Sequence, residues 1–122
     1  MRYFWDAAVA LDPASEHLDE GPRFPICQPG PLESLFRDVG LVDVEVRSID
    51  VPTVFRDFDD YWTPFLAGMA PAPAYARSLS EDRRNALRDR IHAHLPIRPD
   101  GSIHLIARAW AARGTVPLSA TV

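Results

Sequence analysis

An amphipathic helix that passes through a glycine into an alternating strand constrains the fold more than any other feature of this sequence. In residues 31–40, four apolar side chains recur at i, i+3, i+4 and i+7, which predicts one apolar helical face. They are Leu32, Leu35, Phe36 and Val39. Gly40 suits the end of this helix. Valines alternate with charged residues from Val42 to Val46, which predicts a half-buried strand over 42–51.

The alternation in this strand changes phase after Val46, because Ile49 and Val51 follow on the opposite parity. The change predicts either a bulge near Arg47–Ser48 or the end of the strand. A second strand is predicted over 102–111, where apolar residues occur on both faces. A strand that is buried on both faces usually lies inside a sheet.

These patterns predict an α/β fold, more narrowly an α+β fragment. Its short sheet pairs strands 42–51 and 102–110 antiparallel and packs against three to four helices. We expect a single domain over residues 1–122, which begins with a helix over 1–12 and a proline-rich loop. A helix over 31–40, the first strand, a helical insertion over 57–96, the strand over 102–111 and a tail over 114–122 follow.

The helical insertion contains three predicted segments. Asp57 is a plausible N-cap for an aromatic helix, although Pro64 requires a kink or a late start. The stretch MAPAPAYA reads as a connector, and Ser80 as the N-cap of a helix whose apolar face is thin.

Composition excludes several classes of protein. The net charge is −4 and the arginines near residue 84 alternate with acids, so a nucleic-acid partner is not expected. No apolar run reaches the roughly 18 residues of a membrane helix, and no signal peptide is evident. The single cysteine, Cys27, cannot form an internal disulfide, which favours a cytoplasmic location.

The element order resembles the C-terminal part of a class I S-adenosylmethionine-dependent methyltransferase of the small-molecule type. The stretch LESLFRDVGLVDVEV matches the helix and sixth strand, and DVPTVFRDFDDYWTPFLAG begins the matching insertion. Residues 102–111 match the seventh strand, which in that family is antiparallel and lies between the fifth and sixth. The resemblance covers about residues 3–113 and implies a Rossmann-like sheet of which the first five strands are missing.

The resemblance implies a cofactor site that this chain does not carry. In the family, S-adenosylmethionine binds a glycine-rich loop after the first strand and an acidic residue after the second. The six glycines here include no G-x-G pair. We therefore expect no cofactor in this chain, and no catalytic or cofactor-binding residue is assigned.

Three sets of residues could take part in catalysis or metal binding, and each also has a simpler structural explanation. His92 and His94 are two positions apart, and residues so spaced do not share a helix face, so no metal site is assigned. The pair Asp59–Asp60 suits the first turn of a helix better than acid–base catalysis. Cys27 could form a nucleophilic dyad with one of the four histidines, but nothing in the sequence brings them together, and it reads as a small buried residue.

The aromatic stripe of the insertion is the best site candidate. It consists of Phe58, Tyr61, Trp62 and Phe65. Core packing is one interpretation of it. The other follows from the resemblance, because this insertion covers the acceptor pocket in such methyltransferases and these residues would line it for a small-molecule ligand.

Two functions follow from these observations. The first is a fragment or truncated form of a methyltransferase that acts on a small molecule and is inactive alone. The alternative is a non-catalytic binding or dimerisation module with an aromatic pocket. In either case we expect a partner at the edge of the final strand, which is a second copy in a homodimer or a missing N-terminal half.

Overall fold

The computed structural model describes residues 1–119. It contains six α-helices within that range: α1 (Arg2–Leu11), α2 (Glu20–Arg23), α3 (Pro29–Asp38), α4 (Phe58–Trp62), α5 (Pro71–Ser78) and α6 (Glu81–His94). Its two strands are β1 (Val42–Phe55) and β2 (Ile103–Thr115), which pair in one antiparallel sheet. The predicted α+β architecture with an antiparallel strand pair is therefore confirmed. None of the described helices combines the length and apolar character that crossing a membrane requires.

The described chain forms two compact units. The first unit contains residues Met1–Arg23 and Thr53–Leu105, and the second contains 24–52 and 106–119. Each unit includes one part of the β1–β2 ribbon.

The core of the first unit is built where helices α1 and α6 pack together. Phe4, Trp5 and Ala8 of α1 are buried, as are Leu87 and Ile91 of α6. The thin apolar face of α6 is thus enough to bury the helix against the core, because Leu87 and Ile91 lie four residues apart on the same side of it. Ser80 caps α6 as predicted, since its hydroxyl accepts a hydrogen bond from the Arg83 backbone N–H at 3.4 Å.

The second unit keeps one strand register along the ribbon. Arg113 Nε donates to Glu45 Oε2 at 2.7 Å, and Arg108 Nε donates to Asp50 Oδ1 at 2.6 Å. The two acids are five positions apart on β1, and so are the two arginines on β2. No residue is therefore inserted between these pairs, and β1 continues to Phe55. The expected strand end at Val51 is wrong, and the unbroken register does not support the bulge.

The same unit has no buried residue within 24–52 and 106–119. Ile106 of β2 is 65% exposed, and Ile49 of β1 is 53% exposed. In α3, Leu35 and Val39 of the predicted stripe are also exposed. The expectation that the final strand is buried on both faces is wrong within residues 1–119, because Ile103 is the one buried residue of β2 there.

Three local predictions also differ from the structure. The stretch after α1, expected as mostly loop, contains 3₁₀ turns at Pro13–Leu18 and Pro25–Cys27 on either side of α2, each with a proline in its first turn. The expected connector is helix α5, because Pro71 and Pro73 fit a first turn. At Pro64 the chain changes from α4 to a 3₁₀ turn, Thr63–Leu66, so the aromatic residues are divided between two short elements.

The predicted tail begins later than expected. Gly114 and Thr115 still belong to β2. Residues 116–119 have no regular secondary structure, and the rest of the predicted tail lies outside the described residues.

Candidate functional site

Two aspartates fix the start of the aromatic segment. Asp57 Oδ1 accepts a hydrogen bond from the Asp60 backbone N–H at 2.8 Å, as the N-cap prediction requires. Asp60 Oδ2 in turn accepts from the Arg56 backbone N–H at 3.0 Å. This backbone hydrogen bond holds the pKa of the Asp60 carboxyl below its usual range. These two hydrogen bonds fix the first turn of α4, whose Phe58, Tyr61 and Trp62 are buried.

All four predicted acceptor-lining residues lie in that core. Phe58, Tyr61, Trp62 and Phe65 are each at most 8% exposed. Phe65 stacks on Phe4 of α1 with ring centroids 4.7 Å apart. These rings therefore pack in the core, as the first interpretation of the stripe states. Their contact with a small-molecule acceptor stays a prediction.

The aromatic segment reaches the surface at Phe58, which lines an open cleft of about 610 Å³. The Arg88 guanidinium lies 4.9 Å from the Phe58 ring centroid, and the His92 ring contacts the same ring edge-on at 4.7 Å. Arg88 also pairs with Asp59 at 3.4 Å. The cleft is large enough for a small molecule, and its floor is an aromatic ring that is already covered by one cation.

Tyr61 is the chemically unusual member of the aromatic set. Its hydroxyl is buried, and no residue of the described chain forms a hydrogen bond with it. Burial, with a smaller contribution from the nearby Tyr3, raises the pKa of Tyr61 to about 12. The phenol is therefore neutral at ordinary pH and is a donor without an acceptor, an arrangement that costs free energy unless a water or ligand supplies the partner.

The remaining candidates are not brought together. His92 contacts Phe58 edge-on, whereas His94 lines a different cavity and its Nδ1 is 2.8 Å from the Arg90 carbonyl oxygen. Asp59 and Asp60 lie in the first turn of α4, and Cys27 is exposed. Across residues 1–119, no group of three or more histidine, cysteine, aspartate or glutamate side chains is placed to hold a metal ion.

Sequence reasoning did not find the buried carboxylate of Asp19. The Arg2 guanidinium donates two hydrogen bonds to it, one from Nη1 to Oδ1 at 3.2 Å and one from Nη2 to Oδ2. The Gly21 backbone N–H donates to Oδ1 at 2.9 Å. These donors, Arg2 above all, hold the pKa of Asp19 below its usual range. No local signal could have found it, because its partner Arg2 lies 17 positions away in the sequence.

The chain was compared with protein-family models, curated proteins and solved structures, and none of the three comparisons found a match.

Proposed function

We propose that this chain is the acceptor-side part of a class I S-adenosylmethionine-dependent methyltransferase that acts on a small molecule. In this proposal it is inactive until a cofactor-binding half joins its sheet. The chain would hold the acceptor beside the aromatic segment and exclude water from it. The other half would supply the glycine-rich loop and the ribose-binding acid, neither of which occurs in this sequence.

The observation that carries the proposal is the antiparallel pairing of β1 with β2 across a helical insertion. The sixth and seventh strands of such enzymes pair in this way, and their fifth strand lies on the other side of the seventh. In residues 1–119, the outer edge of β2 has no strand beside it, and Ile106 next to that edge is 65% exposed. Unpaired edges with apolar side chains favour the addition of a strand.

The first test concerns the cofactor. Titration calorimetry of the isolated chain with S-adenosylmethionine should give no binding heat. Any upstream segment that encodes a glycine-rich loop after a strand should then be coexpressed with the chain. The pair should form a one-to-one complex that binds S-adenosylmethionine. Saturable one-to-one binding by the isolated chain, or the failure of such halves to associate, would contradict the proposal.

The same β2 edge favours a second candidate, a dimerisation module. Two copies that pair these edges about a two-fold axis would form a continuous sheet. Sedimentation of the isolated chain should then show a dimer, and Ile106→Lys should shift it toward monomer because a charge beside the edge opposes strand addition.

Met69→Lys is the matched control, because Met69 is 96% exposed and lies outside the ribbon. A monomer at tens of micromolar, or an equal effect of both substitutions, would exclude the dimerisation module. Neither result would affect the methyltransferase proposal.

A further inference from the structure

A cavity of about 250 Å³ lies between α1 and α6 in the first unit, away from the aromatic cleft. Its lining comes from one face of each helix: Tyr3, Asp6 and Ala7 from α1, and Arg90 and His94 from α6. The volume is many times what a single water molecule needs, so a small polar molecule fits.

Arg90 differs from the other arginines of its helix. Arg83 pairs with Asp12, Arg84 donates to backbone carbonyls, and Arg88 pairs with Asp59. Arg90 is exposed, and its guanidinium forms no ion pair or hydrogen bond within residues 1–119. A guanidinium at the wall of a cavity presents a planar pair of donors, which matches a carboxylate.

Acceptors occupy the same cavity. His94 Nδ1 lies 2.8 Å from the Arg90 carbonyl oxygen, which can only accept, so Nδ1 carries the proton. In the uncharged ring, Nε2 is then an acceptor. Asp6 Oδ1 accepts from Arg2 Nε at 2.7 Å, and Oδ2 retains its lone pairs. One cationic side chain and two side chains with acceptor atoms, all three exposed, therefore line one small space.

We propose that this cavity binds a free α-amino acid with a small side chain. Arg90 receives the carboxylate, Asp6 and His94 accept hydrogen bonds from the ammonium group, and the side chain lies against Tyr3 and Ala7. A purely anionic ligand is less suitable, because the Asp6 carboxylate repels it. The site does not depend on the methyltransferase proposal, since it uses neither the ribbon nor the aromatic segment.

The test uses amide NMR titration of the full chain with L-alanine. Saturable shifts are expected at the five lining residues, with millimolar affinity. N-acetyl-alanine lacks the ammonium group and alaninamide lacks the carboxylate. Each should bind about ten-fold more weakly, because each loses a charge-assisted hydrogen bond.

Arg90→Gln should also weaken L-alanine binding about ten-fold, and it should leave the fold intact because the guanidinium has no partner to lose within residues 1–119. Arg98→Gln is the matched control, since Arg98 is an exposed arginine outside the cavity, and its affinity should be unchanged. The proposal is overturned by the absence of saturable shifts, by equal binding of the acetylated form, or by a folded Arg90→Gln variant with undiminished affinity.

Discussion

Replacing Asp19 by asparagine tests whether the carboxylate that joins Arg2 to Gly21 stabilises the first unit. The asparagine side chain keeps the shape, and its carbonyl can still accept from Gly21, but its amide group faces the Arg2 donors without a charge. A hydrogen bond to a charged group contributes about 1.5–3 kcal/mol. Asp19 is only 4% exposed, whereas the Arg2 side chain is 53% exposed, so solvent screening reduces the gain. We expect a loss of about 2 kcal/mol in the free energy of unfolding at pH 7.

The loss should depend on pH with a definite sign. The pKa of Asp19 is lowered in the folded chain, chiefly by Arg2, so its contribution is present above the unfolded pKa of about 3.9. The contribution disappears as the pH falls through the folded pKa. The difference between Asp19→Asn and the parent chain should therefore be constant near neutral pH and shrink below about pH 4.

Urea unfolding followed by tryptophan fluorescence measures this difference. Asp6→Asn is the control, because Asp6 pairs with the same arginine at 2.7 Å but both side chains are more than half exposed. Its removal should cost less than about 0.5 kcal/mol. Equal losses in the two variants, or a difference for Asp19→Asn that persists below the folded pKa, would refute the reasoning.

Two further substitutions test the core of the first unit by the same unfolding measurement. Tyr61→Phe removes a buried hydroxyl that lacks a partner in the described chain, so stability should rise by about 1 kcal/mol. A fall would mean that a water or ligand satisfies the hydroxyl. Ile91→Ala should cost about 3 kcal/mol, because Ile91 is fully buried between helices. Asn85→Ala, at an exposed position of the same helix, should stay within about 0.5 kcal/mol of the parent, and a comparable loss there would contradict the packing argument.

Features that depend on neighbouring residues could be predicted from the sequence. Asp57 and Ser80 are N-caps as expected, because a cap needs only the backbone N–H groups of the next turn. The alternating valines correctly predicted β1, and the spacing of Leu87 and Ile91 correctly predicted the buried side of α6. Each of these patterns depends only on residues a few positions apart in the sequence.

The end of β1 and the existence of α5 could not be predicted in this way. β1 continues to Phe55 because it pairs with β2, whose residues are far away in sequence; Asp50 and its partner Arg108, for example, are 58 positions apart. Pro71 and Pro73 suit a connector as well as a first helical turn, and burial of Ala72 and Ala76 in the core decides for the helix. Where the local sequence is compatible with two conformations, long-range contacts decide which of them forms.

The candidate sites show the same division. The sequence by itself determined that Phe58, Tyr61, Trp62 and Phe65 form one apolar stripe, since their spacing is helical. Only the tertiary structure decided that this stripe packs against Phe4 and leaves the Tyr61 hydroxyl without a partner in the described chain. It also placed Arg90 and His94 opposite Asp6, although 84 positions separate Asp6 from Arg90. The spacing of residues along a helix determines which side chains share one face. The packing of one helix on another determines which side chains share a cavity.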